Sequence, residues 1–230
     1  MITNGTSVNA IARGAFSYSA PSQRCSGANC ASGIEGSDLT YLATGGLASF
    51  PIGVLDTHFS ERNREARLIV LTAQTGARYG FGVDETTALF TRFNATELDY
   101  YVVGAGGVFA VDNHFSRFII EHSSTGRQSS YAGLVNFLPS DSRGTLNFAE
   151  NRWSANVAKQ ATDTKTQYSS EGIWRTQALA LCENAEPIRF RIDNYDVLLQ
   201  PNELTSTLRS SEHKPCGYLN LPYAIVGVNE

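Results

Sequence analysis

Two short apolar runs in this chain stop at ionisable residues, and arginines lie between them. Ile52–Leu55 runs into Asp56, Thr57 and His58, Tyr79–Val83 runs into Asp84 and Glu85, and Arg62, Arg64 and Arg67 separate the two. A histidine oriented by a carboxylate is the equipment of general-base catalysis. The carboxylate fixes the imidazole tautomer, and the other ring nitrogen takes a proton from a weak nucleophile such as a serine hydroxyl.

Those side chains need elements that bring them to one place. A short apolar run that ends abruptly in ionisable residues reads as a buried strand delivering side chains to the end of a sheet. The stretch from Ser60 to Gly76 reads as a helix: Ser60 is the N-cap candidate, Ala66, Leu68, Ile69, Val70 and Leu71 supply apolar residues, and Gly76 is the stop. His58 then lies just before the helix, with Arg64 and Arg67 three apart on one face. Taken alone, three arginines in a helix describe a solvated face.

The motifs resemble those of cyanophycinase and related serine peptidases of the cyanophycinase and dipeptidase E type. The residues that carry the resemblance are Asp56-Thr57-His58-Phe59, then Arg62, Arg64 and Arg67-Leu68, then Gly82-Val83-Asp84-Glu85-Thr86-Thr87-Ala88-Leu89. That family has D-x-H-F, three arginines at this spacing, and a downstream I-D-E-x-T-A-L. It also has a nucleophile elbow, G-T-S-A-G-A, which Gly5-Thr6-Ser7-Val8-Asn9-Ala10 resembles here. The resemblance implies Ser7 as nucleophile, His58 as base and Glu85 as the acid that orients it. The Val8 backbone N–H would face the forming oxyanion, as the residue after an elbow nucleophile does. Asn9 stands where the family has glycine, which weakens the Ser7 assignment, although Asn tolerates unusual backbone angles. Ser17 and Ser19 are rivals that lack a glycine-flanked turn.

Enzymes of this type cut β-linked Asp-Arg units, and a guanidinium pairs two-point with a carboxylate. Arg62, Arg64 and Arg67 are therefore expected to hold a substrate carboxylate or the loop that does. Asp56 is expected to meet a substrate cation or to orient those arginines. Thr57 replaces the family's glutamine before the histidine, so substrate detail is expected to differ. Three functions follow: a serine exopeptidase releasing β-Asp-Arg from cyanophycin or isoaspartyl peptides, an α-aspartyl dipeptidase of the same superfamily, and a binding or structural relative without catalysis. A peptide or cyanophycin substrate is the expected partner. No cofactor and no metal are implied, and the oligomeric state is open, a homodimer included.

Composition narrows the field further. The chain has 230 residues, 42% hydrophobic and 17% charged, with a formal charge of −4. With pI near 5.6, nothing points to nucleic acid. No apolar run reaches the length of a transmembrane helix, so no membrane span is expected. The first residues have neither the basic nor the apolar region of a signal peptide. Cys25 and Cys30 sit in a loop rich in Ser, Gly and Asn, with no second Cys/His pair nearby for zinc. Pairing Cys25 with Cys30 and Cys182 with Cys216 is the simplest of three disulfide arrangements, four separate thiols being the alternative. Disulfides would place the protein in the periplasm or outside the cell. Asn4 and Asn94 begin glycosylation-type tripeptides, which are common by chance.

The expected fold is α/β, with a flavodoxin-like or class I glutamine amidotransferase-like sheet. Residues 1–113 would form the C-terminal half of the catalytic domain, and 114–230 a β-rich extension. The family's preceding half-domain is absent upstream of Ser7, so the chain reads as a C-terminal portion or a late-started gene model, a complete shortened protein being the alternative. Val8–Tyr18 is expected to be the helix after the elbow, and Ser19–Asp38 an inserted loop. Glu97–Asp112 reads as a hairpin about Gly104–Gly107, a glycine cluster without the lysine and following helix of a phosphate loop. Beyond it, Phe118–Ile120, Ala178–Cys182, Ile188–Ile192 and Tyr195–Leu199 read as strands, and Thr162–Gly172 as an exposed loop.

Overall fold

The computed structural model describes residues 3–4, 15–18, 34, 38–42, 46–123, 126–157, 172–209 and 216–227. The strand Gly53–Thr57 (β4) ends in a short connection that contains a 3-10 turn, Ser60–Arg62. A helix (α1) follows over Glu65–Thr75, and the chain returns as strand Tyr79–Val83 (β5). β4 and β5 pair in parallel, Gly53 opposite Tyr79 through Thr57 opposite Val83. This is one right-sized βαβ unit, with both strand ends delivered to the same edge. Gly76 closes α1 in the left-handed conformation, φ 67°.

The N-terminus of the helix departs from expectation. Ser60 lies in the 3-10 turn instead of capping the helix, because Asn63 turns left-handed at φ 48° and restarts the chain. Arg64 occupies the cap position, without a side-chain cap. Gly80 and Gly82 bring β5 close to what covers it. A Cβ on Gly80 would meet Thr72 Cγ2 at 2.7 Å, and one on Gly82 would collide with the Phe59 ring.

The remaining strands make the fold. β6 (Thr87–Phe93), β7 (Glu97–Gly104), β10 (Ser142–Asn147) and β11 (Arg152–Val157) form a four-stranded antiparallel sheet ordered β11-β10-β7-β6. β8 (Gly107–Ser123), β9 (Gly126–Pro139), β12 (Ile188–Ile192), β13 (Tyr195–Leu199), β14 (Ser206–Leu208) and β15 (Gly217–Gly227) join β4 and β5 in an eight-stranded sheet. Its order is β12-β13-β15-β9-β8-β5-β4, with β14 also on β15. A third, small sheet is made by β1 (Thr3–Asn4), β2 (Ala15–Tyr18) and β3 (Leu39–Leu42). A second helix, α2, spans Ile173–Leu179, followed by a 3-10 turn at Ala180–Cys182.

The eight-stranded sheet is covered on both faces, and its side chains alternate with period two. Phe109, Val111, Val135 and Phe137 join α1 residues Leu68, Ile69 and Leu71 and α2 residues Trp174 and Ala178 in one core. Tyr79, Phe81, Val108 and Ala110 pack the other way, against Leu98, Tyr100, Leu146 and Trp153 of the four-stranded sheet.

This architecture corrects the expected flavodoxin-like or amidotransferase-like fold. The sheets are antiparallel or mixed, with only the β4–β5 and β2–β3 pairs parallel and two α-helices among the described residues. A doubly wound fold needs a helix for each parallel crossover, and here most strands join antiparallel. The eight-stranded sheet takes strands from both sides of position 113, which lies inside β8.

Three local expectations also change. The Glu97–Asp112 hairpin is not formed: β7 pairs with β6 and β10, while β8 pairs with β5 and β9. Ala178–Cys182 is helical, and residues 15–18 of the expected helix Val8–Tyr18 are strand. Ile188–Ile192 and Tyr195–Leu199 are the strands β12 and β13. Nearly all of the expected loops Ser19–Asp38 and Thr162–Gly172 lies outside the described residues.

Candidate active site

The parallel register of β4 and β5 explains why residues 27 apart meet. Thr57 stands opposite Val83 at the strand ends, so His58 and Asp84-Glu85 leave the sheet side by side. His58 turns sharply, with φ 50° in the left-handed region that a residue with a Cβ rarely enters. Its ring Nδ1 lies 2.6 Å from Glu85 Oε1. Both side chains are about half exposed, 55% and 46%. Thr86, beside Glu85, is also left-handed at φ 54°. Such backbone costs on the order of 1 kcal/mol or more per residue and persists where surroundings hold it.

Those surroundings are specific. Phe59, fully buried, stacks on Phe109 with centroids 5.5 Å apart and rests on Gly82, which anchors the chain just after His58. Arg64 Nη1 donates to the Thr57 carbonyl at 2.6 Å and to Asp56 Oδ1 at 3.1 Å, gripping the two residues before it. Arg67 Nη2 reaches the same carboxylate at 3.0 Å. Burial pulls the Arg67 guanidinium below its ordinary pKa, and the Asp56 charge opposes that.

The arginines therefore divide. Arg64 and Arg67 are committed to Asp56, which acts on them as an orienter, and the Thr57 backbone N–H donates to Asp56 Oδ1 at 2.9 Å. Arg62 is exposed at the end of the 3-10 turn and makes no ion pair among the described residues. Ser7 and Val8, the expected nucleophile and oxyanion donor, lie outside the described residues, as do Cys25 and Cys30. Cys182 and Cys216 form a disulfide with Cα atoms 6.2 Å apart, joining the turn after α2 to the start of β15. That bond is compatible with an oxidising, extracellular location.

A second layer beneath the dyad went unread in the sequence. Asp84 is fully buried: Oδ1 accepts from Ser60 N at 2.9 Å, and Oδ2 accepts from Gly107 N at 3.0 Å and from Arg175 Nη1 at 2.9 Å. Glu61 Oε1 accepts from Arg175 Nη1 and from Glu85 N, each at 3.3 Å. Glu65 lies beneath them, buried, and among the described residues its carboxyl has no hydrogen-bond partner outside its own residue. Burial pushes the Glu65 carboxyl well above the ordinary range, with Asp84 and Glu61 adding to the rise and Arg175 opposing it. The available signal for Arg175 was the helical spacing of Trp174, Ala178 and Leu181 around it, which the strand-like run Ala178–Cys182 obscured.

Among the described residues no three His, Cys, Asp or Glu side chains come together as a metal site. An open groove of about 830 Å³ runs along the outer face of the four-stranded sheet past Phe90, Tyr101 and Arg143, away from the dyad. The chain matches no family model and no solved structure. What the arrangement itself offers is a half-exposed imidazole with one ring nitrogen at hydrogen-bond distance from a carboxylate, a pairing that can orient a histidine for acid–base chemistry.

Proposed function

We propose that this protein is a serine-type exopeptidase that hydrolyses cyanophycin or related isoaspartyl peptides to β-Asp-Arg dipeptides, working in the periplasm or outside the cell. The observation that carries the reading is the 2.6 Å contact between His58 Nδ1 and Glu85 Oε1, made by the two residues that the motif resemblance singles out. Support comes from the site and not from the sheet architecture, since fold does not imply function.

In this reading His58 Nε2 takes the proton of Ser7 Oγ as that oxygen attacks the scissile carbonyl. Glu85 accepts the Nδ1–H bond and stabilises the imidazolium. The Val8 N–H donates to the oxyanion of the tetrahedral intermediate. Collapse expels the amine, which leaves with the proton from His58. Water, activated by the same nitrogen, then frees Ser7 from the acyl group. Arg62, exposed in the turn that follows His58, is the arginine available to a substrate carboxylate, while Arg64 and Arg67 hold the strand end through Asp56.

The test is release of β-Asp-Arg from purified cyanophycin by the protein, with Ser7→Ala and His58→Ala alongside. Release abolished in both variants supports the reading. Release abolished only in His58→Ala moves the nucleophile elsewhere, and no release by the folded wild-type protein overturns the substrate assignment.

A further inference from the structure

The helix α2 comes from the far end of the chain, yet it docks on the turn that carries His58. Ile173 N donates to Asn63 Oδ1 at 2.6 Å, capping the entry to α2 with a side chain from the site. Gly172, at φ 116°, lies against the Ser60 carbonyl where any side chain would collide. Trp174, fully buried, packs edge-on to Phe109, the ring on which Phe59 stacks. Arg175 then enters the carboxylate layer with only 4% of its side chain exposed.

The placement of that one guanidinium is informative. Asp84, Glu61 and Glu65 converge beneath the dyad, and Arg175 Nη1 bonds both Asp84 Oδ2 and Glu61 Oε1. Tyr218 of β15 also adjoins this cluster, its hydroxyl raised by burial first, with Glu65 and Asp84 contributing. Glu61 in turn accepts the backbone N–H of Glu85. A continuous line therefore runs from Arg175 through Glu61 to the residue that holds His58. Without the cation, buried like charges would face one another, and Glu61 would have no reason to stay aligned on Glu85 N.

We propose that Arg175 is a positioning residue for the His58–Glu85 pair: through Glu61 and Asp84 it fixes the backbone of Glu85 where its carboxylate meets the imidazole. The assignment deepens the proposed peptidase reaction and rests on it only for its kinetic consequence. The Arg175 bonds to Asp84 and Glu61 reach the dyad only through those carboxylates. Arg175 acts by geometry, and displacement of an orienting group by about 1 Å is enough to cost about a hundredfold in rate.

The experiment compares the wild-type protein with Arg175→Met and Arg175→Lys by proton NMR of the histidine rings and by dipeptide release from cyanophycin. A carboxylate-bound His58 Nδ1–H is expected to give a downfield resonance at low temperature, assigned by its loss in His58→Gln, while His114 serves as an internal reference. In a methionine variant that unfolds cooperatively, the His58 resonance is expected to broaden or vanish with the His114 signals unmoved. The rate constant kcat is expected to fall about a hundredfold with KM unchanged, and lysine is expected to recover part of both.

If the methionine variant does not fold, Glu61→Ala breaks the same line at its outer end and is read in the same way. A folded variant that keeps the downfield resonance and the wild-type kcat overturns the proposal. Should the wild-type protein release no dipeptide, the peptidase reading fails, and the resonance alone still decides the role of Arg175.

Discussion

His58 Nδ1 and Glu85 Oε1 stand 2.6 Å apart because His58 follows directly on β4 and Glu85 comes two residues after β5, its parallel partner in matched register. Glu85→Gln keeps the size of the side chain but presents the wrong group to Nδ1. The expected result is a kcat lower by about two to four powers of ten, with KM little changed, measured as dipeptide release. Equal loss of kcat and rise of KM would instead assign Glu85 to substrate binding.

Asp56 holds two guanidinium groups with little exposure to water. Asp56→Asn leaves Arg67 buried without its counter-charge, at a cost of about 1–3 kcal/mol in urea unfolding. Because Arg64 then loses one of its two anchors beside Thr57, dipeptide release should fall as well. Full stability in the variant would show that the two arginines find other partners.

Glu65 supplies a pH dependence of defined sign. Its carboxyl has an ordinary pKa of 4.5 when exposed and a much higher one in the folded protein. Below that ordinary value both states are protonated and the group is neutral to stability. Above it the unfolded chain releases the proton and the folded protein does not, so stability falls by about 1.4 kcal/mol per pH unit until the folded pKa is reached. Glu65→Gln should therefore match wild type near pH 4 and exceed it increasingly towards neutrality, as read from urea midpoints. Parallel pH curves for the two proteins would show that Glu65 ionises normally in the fold.

The Cys182–Cys216 bond closes a loop with a sequence separation of 34. Removing it by Cys182→Ser is expected to cost about 3–4 kcal/mol on the chain-entropy model. A reductant should lower the melting temperature of wild type by more than it lowers that of the variant. Because the bond tethers the segment after α2, reduction should also weaken the Arg175 contacts.

What was legible in the sequence was local. The runs Ile52–Leu55 and Tyr79–Val83, the apolar helix between them and the stop at Gly76 each carry their own signal, and together they placed His58 and Glu85 at strand ends. The entry to α1 was hidden by Asn63, whose left-handed turn has no periodicity to reveal it. The glycines at 104–107 suggested a hairpin, but they carry the chain from one sheet to the other. The fold class was out of reach for a related reason: one parallel βαβ unit suggests a parallel sheet, whereas the antiparallel pairings of β15 with β9 and β13 join residues far apart in sequence. Arg175 was invisible because its partners lie far upstream, Asp84 91 and Glu61 114 residues away.

The position of β15 within the larger sheet bears on how the protein is made. During synthesis both members of the dyad leave the ribosome before Arg175, and the strand that pairs with β9, β13 and β14 emerges later still. Pairings of such long range form slowly and only once both partners exist. A nascent chain that already contains His58 and Glu85 thus still lacks a central strand of the sheet that carries them, and that sheet is completed only when β15 arrives.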